Sequence, residues 1–251
     1  MIGYLKAERI KMKATISKRL LFIIPLFFLA FSMFTAHFIT KIGKFNGYLA
    51  QMFNQWPLIF LPIGLAIACS LNISLEKKSG NYKAIIANNL SLSKTWYSKI
   101  INMAFYQSLS SILIIVVAVG GSILTYGEVP NVLTIIYTTT LITLAALPLI
   151  PFNLILSQYF GTIITVITNL LGAFISVIWL APYSTFWWTP WANMLRIPAA
   201  LMEIHPNGTA IAPGSPLQDT TVLGVSIVIS VLYFVLLFIL STFVFKKKVM
   251  K

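Results

Sequence analysis

Enzyme chemistry needs a nucleophile with its base, a cluster of metal ligands, a phosphate cradle or a pair of carboxylates, and each leaves a trace in residue spacing. The chain holds two histidines, His37 and His205, and one cysteine, Cys69, in 251 residues. They make no metal-ligand cluster. Glu203 and His205 stand two apart, which on a helix turns them away from each other. There is no G-x-S-x-G motif, and Gly43-Lys44 is followed by Phe45 instead of completing a Walker-type loop. The chain therefore binds no ATP through a P-loop of its own. By elimination the residues point to a transport or scaffold component and away from an enzyme. Cys69 lies in a hydrophobic run and reads as a buried free thiol.

Two other groups of residues remain. The stretch 76–99, EKKSGNYKAIIANNLSLSKTWYSK, carries Glu76, Lys77, Lys78, Lys83, Lys94 and Lys99 between two greasy segments. Within it Tyr82, Ile85, Ile86 and Leu90 recur at i, i+3, i+4 and i+8, the spacing of one helical face. Gly80-Asn81 is expected to start this helix and Asn88-Asn89 to end it. Such a helix either lies on lipid or docks a soluble partner; docking through Tyr82, Ile85 and Ile86 is the reading adopted. The second group is aromatic. Trp187, Trp188 and Trp191 cluster in the segment 182–221. Trp at headgroup depth forms belts, and a wall of Trp and Met there also suits an amphipathic peptide. A short helix is expected over 191–204, interrupted at Pro198, followed by a turn at His205-Pro206-Asn207-Gly208.

The elements that must position these residues follow from composition. The sequence is 58% hydrophobic and 9% charged, against roughly a quarter charged in a soluble domain. This is a polytopic membrane protein of all-α class. Six segments reach the ~20 apolar residues that a spanning helix needs: 20–40, 56–75, 100–125, 132–156, 161–181 and 222–245. Only residues 157–160 separate the fourth from the fifth, so these form a tight hairpin, with Pro148 and Pro151 kinking the fourth. The first segment follows a basic leader and reads as a retained span, not a cleaved signal peptide. Residues 1–19 form an interfacial amphipathic leader, with Ile2, Leu5, Met12 and Ile16 on one side and Arg9 interrupting it. With both termini inside, fifteen of the eighteen basic residues face the cytosol, and only Lys41, Lys44 and Arg196 lie outside. The acids divide as Glu8 and Glu76 inside and Glu128, Glu203 and Asp219 outside, so the net charge is +13 inside and zero outside. The basic excess thus reads as positive-inside bias and not as a nucleic-acid footprint. No span holds an ionisable group near its centre, which argues against an ion relay; His37 is placed at the outer interface. Asn153, Asn169 and Gln158 read as interhelical hydrogen-bonding groups.

Several of these residues also carry a resemblance. Leu5–Arg19, LKAERIKMKATISKR, is similar to the amphipathic leader of ABC-2-type permeases. The step from Glu76 to Gly80, the short apolar-faced helix and Leu92-Ser93-Lys94 look like that superfamily's coupling-helix region. Gly80-Asn81 stands where the family usually has Gly-Thr, and Leu92 where it often has proline. The run Phe186-Trp187-Trp188-Thr189-Pro190-Trp191 before the last span resembles the permeases of lantibiotic self-protection and bacitracin-type resistance in bacteria.

The resemblance implies one six-span transmembrane domain over 1–251 in the plasma membrane. It implies pairing with a second permease, either identical or a paralogue, above two copies of a separate ATPase that holds ATP and magnesium. Glu76, Gly80, Tyr82, Ile85 and Ile86 would couple to that ATPase. Trp187, Trp188, Trp191 and Arg196 would meet a cationic antimicrobial peptide at the outer leaflet. Neither a cofactor on this chain nor a nucleic-acid partner is expected. The same machinery with another cargo (a lipid, a drug or a polysaccharide) is the first alternative, and a membrane scaffold or intramembrane enzyme the second.

Overall fold

The computed structural model describes residues 1–13, 16–36, 46–80 and 82–249. His37, Lys41, Gly43, Lys44, Phe45 and Asn81, and the readings placed on them, lie outside the described residues.

Among the described residues ten α-helices follow one another: α1 Ile2–Lys13, α2 Ile16–Ala36, α3 Gly47–Gln55, α4 Leu61–Lys78, α5 Lys83–Ala87, α6 Leu92–Tyr126, α7 Val132–Ala146, α8 Leu149–Ile175, α9 Pro190–Met202 and α10 Val222–Val249. Local chemistry sets their ends. The side chains of Asn46, Ser91, Asn131 and Thr189 accept the backbone N–H three residues on and so start α3, α6, α7 and α9. Gly127, at φ 69°, closes α6. A π-helical turn, Trp56–Phe60, fuses α3 to α4 at Pro57.

Among the described residues four helical stretches are long and apolar enough to cross a membrane: 47–78, 92–126, 132–180 and 222–249, with a shorter apolar helix over 19–35. Their outward faces are aliphatic and aromatic: Leu133, Ile163, Leu124 and Phe243 are each more than two-thirds exposed. Apolar surface on this scale belongs in lipid, not in water. The protein is an all-helical membrane protein.

The stretch 132–180 is not one rod. It bends at Leu147-Pro148 between α7 and α8, where the proline withholds a donor. It then breaks at Gly161, whose φ of 80° and ψ of −175° are non-helical. The side chain of Asn169 donates to Asn153 Oδ1 at 2.6 Å, sixteen positions back. On a straight helix those residues would be ~24 Å apart. The chain therefore reverses at Gly161, and the hairpin expected at 157–160 is present one residue later. The kink at Pro148 belongs to the entry of α8 and not to the reversal.

The stretch 47–78 is the most buried of the four. Gly64, Ala66, Ala68, Cys69 and Ser70 line its buried surface, small groups that let neighbouring backbones approach. Polar contacts cross the bundle. Thr143 donates to Ser111 at 2.6 Å, Trp96 Nε1 to Ser241 at 3.0 Å, and Asn193 to Ser230 at 3.0 Å.

Most helix ends differ from the expected boundaries for one reason. Apolarity marks only the part of a helix that lipid covers, so reading ends at the first charge cuts helices short. Glu76, Lys77 and Lys78 continue α4, while Lys94 and Lys99 lie within α6. The expected loop 76–99 shrinks to 79–91. The helix expected over 191–204 is α9, and Pro198 does not interrupt it. Its partner wall is a short hairpin in which Ile204 and Ala210 bridge and Gly208, at φ 90°, makes the turn.

Candidate functional site

The basic segments converge on one end of the bundle. α1 brings Glu8 and Lys11, α4 brings Asn72 and Glu76, and α6 brings Lys99. Lys99 is 1% exposed, and its ammonium donates to Glu76 Oε1 at 2.6 Å, Glu8 Oε2 at 2.8 Å and Asn72 Oδ1 at 3.2 Å. An ammonium has three protons, and all three are used. Lys11 closes the ring, donating to Glu76 Oε1 at 2.7 Å and Glu8 Oε1 at 3.0 Å. Two carboxylates and two ammoniums leave no net charge, which makes their burial tolerable. Burial works against the Lys11 charge, but Glu8 and Glu76 more than offset it, so its pKa is raised above the ordinary lysine value.

A second set of contacts holds the same leader. Arg9 Nε donates to Asn102 Oδ1 at 3.2 Å and its guanidinium lies 4.8 Å from the Phe105 ring centre. Asn102 donates in turn to the carbonyls of Leu5 and Ser98. Lys99, Asn102 and Phe105 are three apart along α6 and share a face. The leader is thus fastened to protein. Ile2 and Ile10 point away from that contact, while Glu8 and Met12 are the buried residues of α1. The apolar stripe expected through Ile2, Leu5, Met12 and Ile16 is therefore split: Met12 is buried in the contact beside the Glu8 carboxylate, Leu5 is half-buried, and Ile2 and Ile16 are exposed.

The loop 79–91 turns at Gly80, exposed and at φ 100°. The helix in it is shorter than the spacing suggested. Tyr82 is the N-cap, in the left-handed region at φ 67°, and its side chain is buried while Ile86 stays exposed, so the three expected docking residues do not present one common outer face. The Tyr82 ring is 2% exposed and packs edge-on against Phe245, centroids 5.0 Å apart, while its hydroxyl contacts Gln158 Oε1 at 3.4 Å. Burial, then the Glu76 and Glu8 charges, raise the Tyr82 pKa. Ile85 is also buried, at 9%. Of the three residues expected to dock a partner, only Ile86 is exposed, at 48%, joined by Leu90 at 47%. Glu76 is likewise inside, as an ion-pair partner. A cavity of about 360 Å³ lies between α1 and this loop, lined by Tyr4, Lys11, Ala84, Ile85 and Leu90 among others.

The tip of the α8 hairpin and the tail meet the same end. Lys77 donates to the Ser157 carbonyl at 3.3 Å, and the Lys248 ammonium lies 4.9 Å from the centre of the Tyr159 ring. Trp96 stacks on Phe245 at 4.2 Å.

At the opposite end the tryptophans separate. Trp187 and Trp188 are exposed, edge to face at 6.2 Å. Trp191 turns inward: Nε1 donates to Asn169 Oδ1 at 3.2 Å and its ring meets Phe152 edge-on at 5.7 Å. It bridges both limbs of the α8 hairpin across Gly172, where a Cβ would come within 2.9 Å of the indole. Arg196 is 5% exposed; Nη1 donates to the Leu217 carbonyl at 2.8 Å and Nη2 to that of Pro216 at 2.9 Å. It fastens the approach to α10 and presents no free guanidinium at the protein surface. Burial lowers its pKa, and Asp219 acts in the other direction.

Glu8 and Lys99 were missed by sequence reasoning. The signal was that Glu8 and Glu76 are the only acids among the basic segments of one end, and two such acids invite a shared cation. Compared with protein-family models, curated proteins and solved structures, the chain matches none.

Proposed function

We propose that this chain is the permease subunit of an ATP-driven ABC exporter of the ABC-2 type, expelling a cationic, lantibiotic-type antimicrobial peptide from the plasma membrane. In this reading six helices span the lipid, 132–180 counting twice because of its reversal and α2 supplying the first span, and both termini are cytosolic. An ATPase pair binds ATP and magnesium beneath two such permeases.

The observation that carries the reading is the block at the basic end. The leader and the ends of α4 and α6 are tied into one unit by ion pairs; the loop 79–91 joins it through the Ser91 N–H donated to the Tyr4 hydroxyl at 3.0 Å and through buried Tyr82, with Ile86 and Leu90 left exposed at its surface. A rigid knob of this kind suits a soluble partner that pushes on it. The partner's contact is therefore assigned to Ile86 and Leu90, with Tyr82, Ile85 and Glu76 stiffening the knob from within. At the other end Trp187 and Trp188 remain the aromatic surface offered to cargo.

Ile86→Asp combined with Leu90→Asp tests this. Anchors of this type contribute about 2 kcal/mol or more each, roughly 30-fold in affinity. The double variant is expected to insert at wild-type level and to lose co-purification of the ATPase and protection of cells against the peptide. Full co-purification by that variant would remove the knob from the mechanism. Protection against a lipid or drug challenge, with none against peptide, would move the cargo to the alternative class.

A further inference from the structure

At the end opposite the ion pairs, α3, α7 and α9 with its hairpin enclose a cavity of about 460 Å³, within the roughly 300–1,000 Å³ of small-ligand pockets. Its walls are largely aliphatic, Leu49, Ile135, Leu201 and Ile211 among them, with Asn46, Asn131 and Thr134 on the polar side. Among the described residues one ionisable group lines it, Glu203.

Glu203 is held in an uncommon way. It caps α9 in the left-handed region, φ 58° and ψ 32°, its N–H bonded to the Pro198 carbonyl, where non-glycine residues are infrequent. Its own carbonyl accepts from Ile211 N at 3.0 Å, across the hairpin. The hairpin is fixed to α3 by Asn54, which donates to the Pro206 carbonyl at 2.6 Å. The backbone of Glu203 is thus pinned from two sides, and no described residue pairs with its carboxylate. Asp219, by contrast, is already bound by the Thr221 amide and hydroxyl.

We infer that this cavity receives a lysyl side chain, with an adjoining apolar side chain, from a cationic amphipathic peptide, and that Glu203 is the counter-charge for its ammonium. A single carboxylate above aliphatic walls complements an aliphatic stem that ends in a cation, and it repels acidic or phosphate-bearing ligands. The volume admits one or two side chains and not a folded peptide. The inference rests on the peptide-cargo reading above and moves the charged part of recognition away from Trp187 and Trp188.

The test uses the full chain in phosphatidylcholine nanodiscs and a dansyl-labelled Leu/Lys amphipathic peptide, with its lysine-acetylated twin as the uncharged control. Wild type is expected to bind the cationic form about tenfold more tightly than the twin. Glu203→Gln is expected to erase that preference while leaving binding of the twin unchanged. Thr134→Lys, which places a cation in the cavity wall, is expected to do the same by a route that spares the Glu203 backbone. Retention of the full preference by both variants would overturn the inference. Protection of cells expressing the chain with its ATPase is read in parallel. A preference lost in Glu203→Gln while wild type protects no cells supports the site and rejects the exporter reading. Wild-type protection with a preference unchanged by both variants rejects the site and keeps the exporter.

Discussion

Lys99 concentrates more consequence than any other single residue. Its three protons satisfy two carboxylates and an amide from two other helices. Removing one partner of a buried ion pair leaves the other uncompensated and costs about 3–5 kcal/mol. Lys99→Met is therefore expected to lower the thermal midpoint of the purified protein and to release α1, read as faster proteolysis of the leader. Adding Glu76→Gln to that variant removes one of the stranded charges and is expected to restore part of the loss; no recovery in the double variant would mean that Lys99 acts by packing alone. The pairing was only half legible in sequence. Charge counting placed Glu8, Glu76 and Lys99 at the same end, but the segment between two spans read as a solvated loop, and nothing in local spacing relates residue 8 to residue 99. Tyr82 was misread for a different reason. Its apolar periodicity was real, yet its backbone lies in the left-handed region, which periodicity does not register.

Among the elements, the α8 hairpin was the most legible. Asn153, Gln158 and Asn169 were expected to bridge helices; Asn153 and Asn169 join the two limbs, while Gln158 meets Tyr82 of the loop 79–91. What sequence could not supply was the residue at which the chain reverses, because Gly161 reads as an ordinary helix-tolerated glycine until its ψ is known. Gly161→Ala is expected to destabilise the protein by about 1–3 kcal/mol. No neighbour lies near the added Cβ, so the cost is purely one of backbone conformation. Gly120→Ala serves as the control: it also meets open space, within the regular helix α6. It is expected to be neutral or to stabilise by about 0.5–1 kcal/mol. Equal effects of the two substitutions in thermal unfolding would argue against a reversal at Gly161.

For the molecule as a whole, sequence gave the membrane class and the gathering of basic segments at one end, since both follow from composition along the chain. The packing of the segment 182–221 was not readable, because Arg196 and Trp191 look like surface residues by type and are held inside by backbone carbonyls and a hairpin. Orientation remains a separate test. In a Cys69→Ala background, Ser79→Cys is expected to resist a membrane-impermeant thiol reagent in intact cells and Ala212→Cys to react; both positions are exposed, and neither carries a positive φ. The reverse pattern of labelling would invert the topology. The ion pairs at the basic end also set an order in time. Glu8 is separated from Lys99 by 91 positions, and at ~5–20 residues per second of synthesis the carboxylate has Lys11 beside it at once but waits roughly 5–18 s for its buried cation. The leader therefore meets the membrane surface first as a loose basic segment, gains its first tie from Glu76 of α4 and is fully fastened only when α6 emerges, so its complete fastening reports that the first three hydrophobic helices are in place.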